Sequence, residues 1–134
     1  MLVQETIQPL LRYFNAAASG ADTAVVSIAN AQAVRIVAHT GTVTGSASLQ
    51  VHVNTTNSTS GAVQITDKAI ATLVSNSTYE IFVTGAEAYA AMTHASYMFV
   101  RVAGTGTAQI AIEISAFPAR DVPAALPSDW TRIL

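Results

Sequence analysis

Ala33-Val34-Arg35-Ile36-Val37-Ala38-His39 is the stretch whose reading decides the fold class. Val34, Ile36 and Ala38 fall in one phase of a two-residue period, and Arg35 and Val37 in the other. That is the signature of a strand with one face on a core. Working outward, Leu49, Val51 and Val53 alternate with Gln50 and His52, and Ile110, Ile112 and Ile114 with Ala111, Glu113 and Ser115. Residues 23–29, 62–73 (with a break near Asp67), 79–84 and 96–103 fit the same scheme. Strands at 79–84 and 97–102 carry apolar residues in both phases, such as Phe82 with Val83 and Met98, Phe99 and Val100, which marks them as candidates for sheet centres. Residues 41–45, 54–61 and 104–106 have turn chemistry, with glycine supplying positive φ where a hairpin needs it, and 54–61 reads as a long flexible loop. The expectation is an all-β body over residues 23–117: an antiparallel β-sandwich or jelly roll of about seven to eight strands.

The two ends read differently. Ile7, Leu10, Leu11 and Phe14 recur at helical spacing, Pro9 suits a first helical turn and Gly20 a C-terminal stop, so residues 1–22 are expected to form a short helix over about 9–18, or an extended arm in its place. Either form buries Leu10 and Phe14, on the chain's own core or on a neighbouring subunit. Residues 118–134 hold three of the four prolines and the only tryptophan. Pro123 and Pro127 oppose regular sheet pairing, so this segment is expected to be an extended tail. At about 3.3 Å per residue its reach is on the order of 50 Å, beyond the edge of a domain this size. Trp130, Ile133 and Leu134 are its natural anchors, whether the tail docks on a neighbour or folds back on its own sandwich.

Composition excludes several classes. A chain of 134 residues fits one domain with a real core. Only 10% of residues are charged, against 51% apolar, which leaves little electrostatic protection from self-association and points to a surface covered by neighbours. The six basic residues, Arg12, Arg35, Lys68, Arg101, Arg120 and Arg132, are scattered singly, and the net charge is -2. Nucleic acid is therefore not an expected partner. There is no cysteine, so disulfides, thiolate metal sites and thiol nucleophiles are excluded. No stretch of about 18 apolar residues suggests a membrane span. Residues 1–14 contain Glu5 and Pro9 and lack a basic n-region and an apolar h-region, so they are not expected to be a signal peptide.

Templates for chemistry fail one by one. His39, His52 and His94 have no metal-motif spacing, and no metal or other cofactor is expected. The G-x-S-x-G elbow is absent, and Gly104-Thr105-Gly106-Thr107 lacks the helix and lysine of a phosphate loop and reads as a hairpin turn. Glu80, Glu87 and Glu113 are conceivable glycosidase carboxylates, but strand-borne glutamate in alternating phase ordinarily belongs to a solvated face. Three Asn-x-Ser/Thr triplets, at Asn54, Asn57 and Asn76, are given no role. Tyr89 and His94, in the segment 86–96, are the best small-ligand candidates, as a lid or a sugar-stacking surface. The expected protein is not an enzyme.

Three features carry a resemblance to a known class. One is the cysteine-free body of Ala/Thr/Val-rich strands, such as Ala24-Val25-Val26-Ser27-Ile28-Ala29 and Ser46-Ala47-Ser48-Leu49-Gln50-Val51. The second is the closing pattern Ser96-Tyr97-Met98-Phe99-Val100-Arg101-Val102, Gly104-Thr105-Gly106 and Ala108-Gln109-Ile110-Ala111-Ile112, which looks like a final hairpin. The third is the departure through Phe117-Pro118-Ala119-Arg120. Across about residues 23 to 120 the chain resembles the small accessory virion proteins of tailed bacteriophages, in particular capsid decoration or cement proteins. The resemblance implies a virion location and a homo-oligomer, dimer or trimer, bound to the major capsid protein and stabilising the shell. It supplies no aligned motif, so no binding residue is carried over from it.

Overall fold

The computed structural model describes residues 6–8, 14–16, 21–29, 31–118 and 132–133. In chain order its elements are β1 (Thr6–Gln8), β2 (Phe14–Ala16), β3 (Ala21–Asp22), β4 (Val26–Ser27), β5 (Ala31–Thr44), β6 (Ala47–Asn54), β7 (Val63–Ile70), β8 (Thr78–Thr84), α1 (Gly85–Ala91), β9 (Tyr97–Gly104), β10 (Thr107–Pro118) and β11 (Arg132–Ile133). No helix among the described residues is long and apolar enough to cross a membrane.

The backbone of the architecture is one long antiparallel ribbon bent in the middle. β5 pairs with β10 as far as Thr44 opposite Thr107, and the same register resumes beyond the bend as β6 on β9 from Ala47 opposite Gly104. The two halves of the ribbon belong to different sheets. In the first sheet the order is β1-β10-β5-β8-β11, with β2 also on β10; in the second it is β3-β9-β6-β7, with β4 also on β9. Taking β1 with β2 as the first strand position and β3 with β4 as the second, the first sheet runs first, eighth, third, sixth and the second runs second, seventh, fourth, fifth. That interleaving is a jelly roll, which decides between the two architectures the alternating pattern allows. Every pairing is antiparallel except β11 on β8.

The core lies where the alternation puts it. Val34, Ile36 and Ala38 of β5 and Ile110, Ile112 and Ile114 of β10 face Leu49, Val51 and Val53 of β6 and Met98, Val100 and Val102 of β9, and all are buried. Each Val, Leu, Ile or Met side chain among them contributes roughly 1.5–3 kcal/mol on removal from water, before chain entropy is charged against it.

Glycine makes the bend possible. Gly45 and Gly104 have φ of +74° and +134°, a region that side chains rarely adopt, and a Cβ on Gly106 would overlap the Thr44 carbonyl oxygen. The Gly104-Thr105-Gly106 turn is thus a corner between sheets and not the expected hairpin turn, since β9 and β10 pair with β6 and β5 and not with each other. Nor does a turn begin at Gly41. β5 runs through it to Thr44, and Gln109 folds over the missing side chain, its Oε1 accepting from the Thr42 N–H at 3.3 Å.

Other expectations are corrected or sharpened. Phe14–Ala16 is a strand paired with Ile110, Gln109 and Ala108, so the arm and not the helix describes those residues; Pro9 and Leu10 lie outside the described ones. β8 is not a sheet centre, because only the two residues of β11 flank it on its outer side, whereas β9 sits between β6 and the short β3 and β4. The break near Asp67 is present. Gln50 pairs with Ala69 and His52 with Gln64, so β7 carries three extra residues there. The polar loop after β6 is tied down by the buried Asn54, whose Nδ2 donates to the Ser58 and Ser60 carbonyls at 2.7 and 2.9 Å.

Candidate functional site

The five anchor residues read from the ends fall unevenly. Leu10, Trp130 and Leu134 lie outside the described residues. Phe14 opens β2, in register with Ile110, and Ile133 closes β11, in register with Ile81. Both ends of the chain thus supply outermost strands of the same sheet: β1 and β2 against β10 on one side, β11 against β8 on the other.

Tyr89 and His94 are brought together. α1 projects Tyr89 to solvent at 53% exposure, and the turn after it sets His94 in the left-handed region (φ +64°), where its ring meets the tyrosine edge-on with centroids 5.7 Å apart. The groove beside α1 is a different place. It has a volume of about 400 Å³ and is lined by Val63, Ile65, Asp67, Glu87, Ala90 and Ala91 among others, along the outer edge of β7.

Beneath that groove sits an ion pair not anticipated from the sequence. The extra residues of β7 turn Lys68 inward, where it is fully buried and reaches Glu87 Oε2 at 2.9 Å. The approach is oblique, an ion pair and not an aligned hydrogen bond. The other carboxylate oxygen caps α1: Oε1 accepts from the Thr84 N–H and hydroxyl, each at 3.0 Å, while Thr84 Oγ1 accepts from the Glu87 N–H at 3.1 Å. Burial works to raise the Glu87 pKa, but the Lys68 ammonium and then the Thr84 donors outweigh it, so the carboxyl sits below its ordinary value. The signal was present in the sequence as Thr84-x-x-Glu87, the capping-box pattern.

The outward faces of both sheets carry buried aromatic rings. On the second sheet Phe99 is fully buried, stacked on His52 at 5.1 Å with the Arg101 guanidinium 5.5 Å from its centroid. Arg101 is clamped by Asp22 through two hydrogen bonds of 2.7 and 3.0 Å. Burial lowers the His52 pKa and the Arg101 charge lowers it further, with Asp22 in opposition. On the first sheet Phe117 lies under the Arg35 guanidinium, 5.7 Å from the ring centroid. There Glu80 is 1% exposed, which corrects the reading of strand-borne glutamate as a solvated face.

The titratable groups do not converge. His39 lies on the first sheet bonded to Thr78 Oγ1, His52 on the second bonded to Gln50, and His94 beside α1. No group of three or more His, Asp or Glu among the described residues is placed to hold a metal ion. Glu80 and Glu113 pair with Val37 from opposite sides, two strand spacings or about 10 Å apart, and Glu87 is committed to Lys68 and Thr84.

No protein family matches the chain, and no curated protein sequence does. Among solved structures it is similar to a chain in the structure of the Gx strain of infectious bursal disease virus, at 11% identity and a TM-score of 0.44, over 93% of this chain. This chain spans about a third of that one's length (34%).

Proposed function

We propose that this chain is a non-enzymatic structural protein of a virus particle, and within that class a head decoration or cement protein of a tailed phage that binds copies of itself and the major capsid protein. One observation carries the reading: segments near both ends of the chain pair as short outer strands of a single jelly-roll sheet. β1 and β2 are three residues each and β11 is two. Strands this short make few hydrogen bonds and can re-form on the identical edge of a neighbouring copy, a low-cost way for protomers to interlock. The sparse charge of the chain suits a place in a lattice, where neighbours cover the surface. Deleting residues 119–134 tests it. The shortened protein should stay folded by circular dichroism yet lose attachment to particles, and normal attachment would sink the reading.

A second reading, a carbohydrate-binding or adhesin module, is favoured by the exposed Tyr89 ring standing against His94. It requires glycan binding that is lost in Tyr89→Ala and survives the deletion of 119–134.

A further inference from the structure

The second sheet ends in an open edge. Among the described residues β7 is hydrogen-bonded to β6 alone, and the space on its other side is the groove of about 400 Å³ that α1 walls with Glu87, Ala90 and Ala91. Two features set this edge apart from a merely solvated one. Val63 stands opposite the fully buried Val53, in the core phase, yet is itself 40% exposed because no described strand lies beyond it. Further along, the three extra residues break the alternation, so that Thr66 and Asp67 are exposed in succession while Lys68 turns in to Glu87. Asp67 is thereby left as a carboxylate on the groove with no cation beside it among the described residues, whereas Asp22 is paired with Arg101 and Glu87 with Lys68. The described lining holds no basic side chain. Ala90 and Ala91 are also the last residues of α1, an end that attracts positive charge, and its last turn carries no basic residue.

We propose that this groove binds an extended basic peptide of a partner protein, which adds to β7 as a further strand of the second sheet and sets a lysine or arginine against Asp67. Main-chain hydrogen bonds to the free edge supply affinity in such strand addition, and the alternating side chains supply the choice of partner. The dimensions suit this occupant. Residues 63–67 offer about 16 Å of edge, the cavity falls within the range of about 300–1,000 Å³ usual for binding sites, and the small side chains of Ala90 and Ala91 leave room for a strand between helix and sheet. An added strand also covers Val63. A second copy's β7 fits less well, since it brings another Asp67 and no accessible cation, its Lys68 being buried. The groove lies on the second sheet and the end strands β1, β2 and β11 on the first, so the inference goes beyond attachment through the ends and fails or stands separately from it.

The probe is the alternating peptide acetyl-Val-Thr-Val-Arg-Val-Thr-amide, titrated into the isotope-labelled full chain and followed by amide chemical shifts in two-dimensional NMR. Saturable shifts should appear at residues 63–67 and 87–91, and the peptide should bind about fivefold more tightly than its counterpart with glutamate in place of arginine. Ala90→Leu, which fills the groove, should abolish the shifts with circular dichroism unchanged. Asp67→Lys should keep the shifts and reverse the preference between the two peptides. Absence of shifts at 63–67 with either peptide at millimolar concentration would overturn the proposal, as would equal affinity for the two peptides or binding that survives Ala90→Leu. Shifts at 63–67 that arise on raising the protein concentration without peptide would overturn it in favour of a second copy as the occupant.

Discussion

Replacing Glu87 by glutamine separates the two tasks its carboxylate performs. In the native chain Oε2 faces the Lys68 ammonium and Oε1 caps α1 through Thr84. An amide has one acceptor oxygen for both, so either the ammonium or the cap loses its partner. Lys68 is fully buried and cannot recover water, whereas Glu87 is 38% exposed. Removing one partner of a buried pair costs about 3–5 kcal/mol, and the hydrated end of this one argues for the low end, about 3 kcal/mol. For a domain of this size that is a fall in Tm of about 12 °C. Lys68→Met is the informative contrast. It removes the buried charge, keeps an unbranched apolar stem in its place and leaves a carboxylate that water can reach, so it should stay within about 1 kcal/mol of the parent. Urea denaturation of both variants measures the difference. Equal losses, or a greater loss in Lys68→Met, would refute the assignment of the cost to a stranded ammonium. The pH dependence follows the same group. Because the folded-state pKa of Glu87 is lowered, its contribution is present in full above the ordinary value of 4.5 and is lost as pH falls through the lower folded value, an acid-side slope that Glu87→Gln should reduce.

The glycine corner and the buried histidine give two further predictions. Gly106→Ala drives a methyl group into the Thr44 carbonyl and should cost about 3 kcal/mol or more, while Gly61→Ala, at φ +78° with open space around it, should cost about 1 kcal/mol; matching denaturation midpoints would contradict the corner. His52 has a lowered folded-state pKa, so its contribution is present above 6.5 and is lost as pH drops below that value toward the folded one. His52→Phe, which keeps an aromatic ring against Phe99, should flatten the decline in Tm over that window, and an unchanged slope would assign the decline to another group.

The alternation at Val34-Ile36-Ala38, Leu49-Val51-Val53 and Ile110-Ile112-Ile114 was legible because one face of each strand meets the core, and the break at Asp67 was legible from the change of phase across it. The corner at Gly45 and Gly106 was not, since a glycine turn looks the same whether the strands beyond it pair with each other or pass to another sheet. β5 likewise continues through Gly41 because of Gln109 on a strand far away in sequence. β8 is apolar in both phases yet lies next to the edge strand β11; its second apolar phase arises because Phe82 belongs to the partly covered outer face of the first sheet. Lys68 and Glu87 meet only through three extra residues in β7, a register fact that no local pattern carries, although the Thr84 cap beside them was readable. Tyr89 and His94, five positions apart, were within reach of local reasoning, and they do meet. Of the anchors at the ends, Phe14 and Ile133 stand in outer strands of the sheet, as apolar residues of arms that add to an edge.

The central claim, a structural role in a particle through the chain ends, is tested most directly by sedimenting the intact protein with purified phage particles and counting copies per particle. A decoration or cement protein predicts co-sedimentation at hundreds of copies, lost when residues 119–134 are removed. About a dozen copies would place it in the neck or tail instead, and no co-sedimentation at saturating protein would contradict the account.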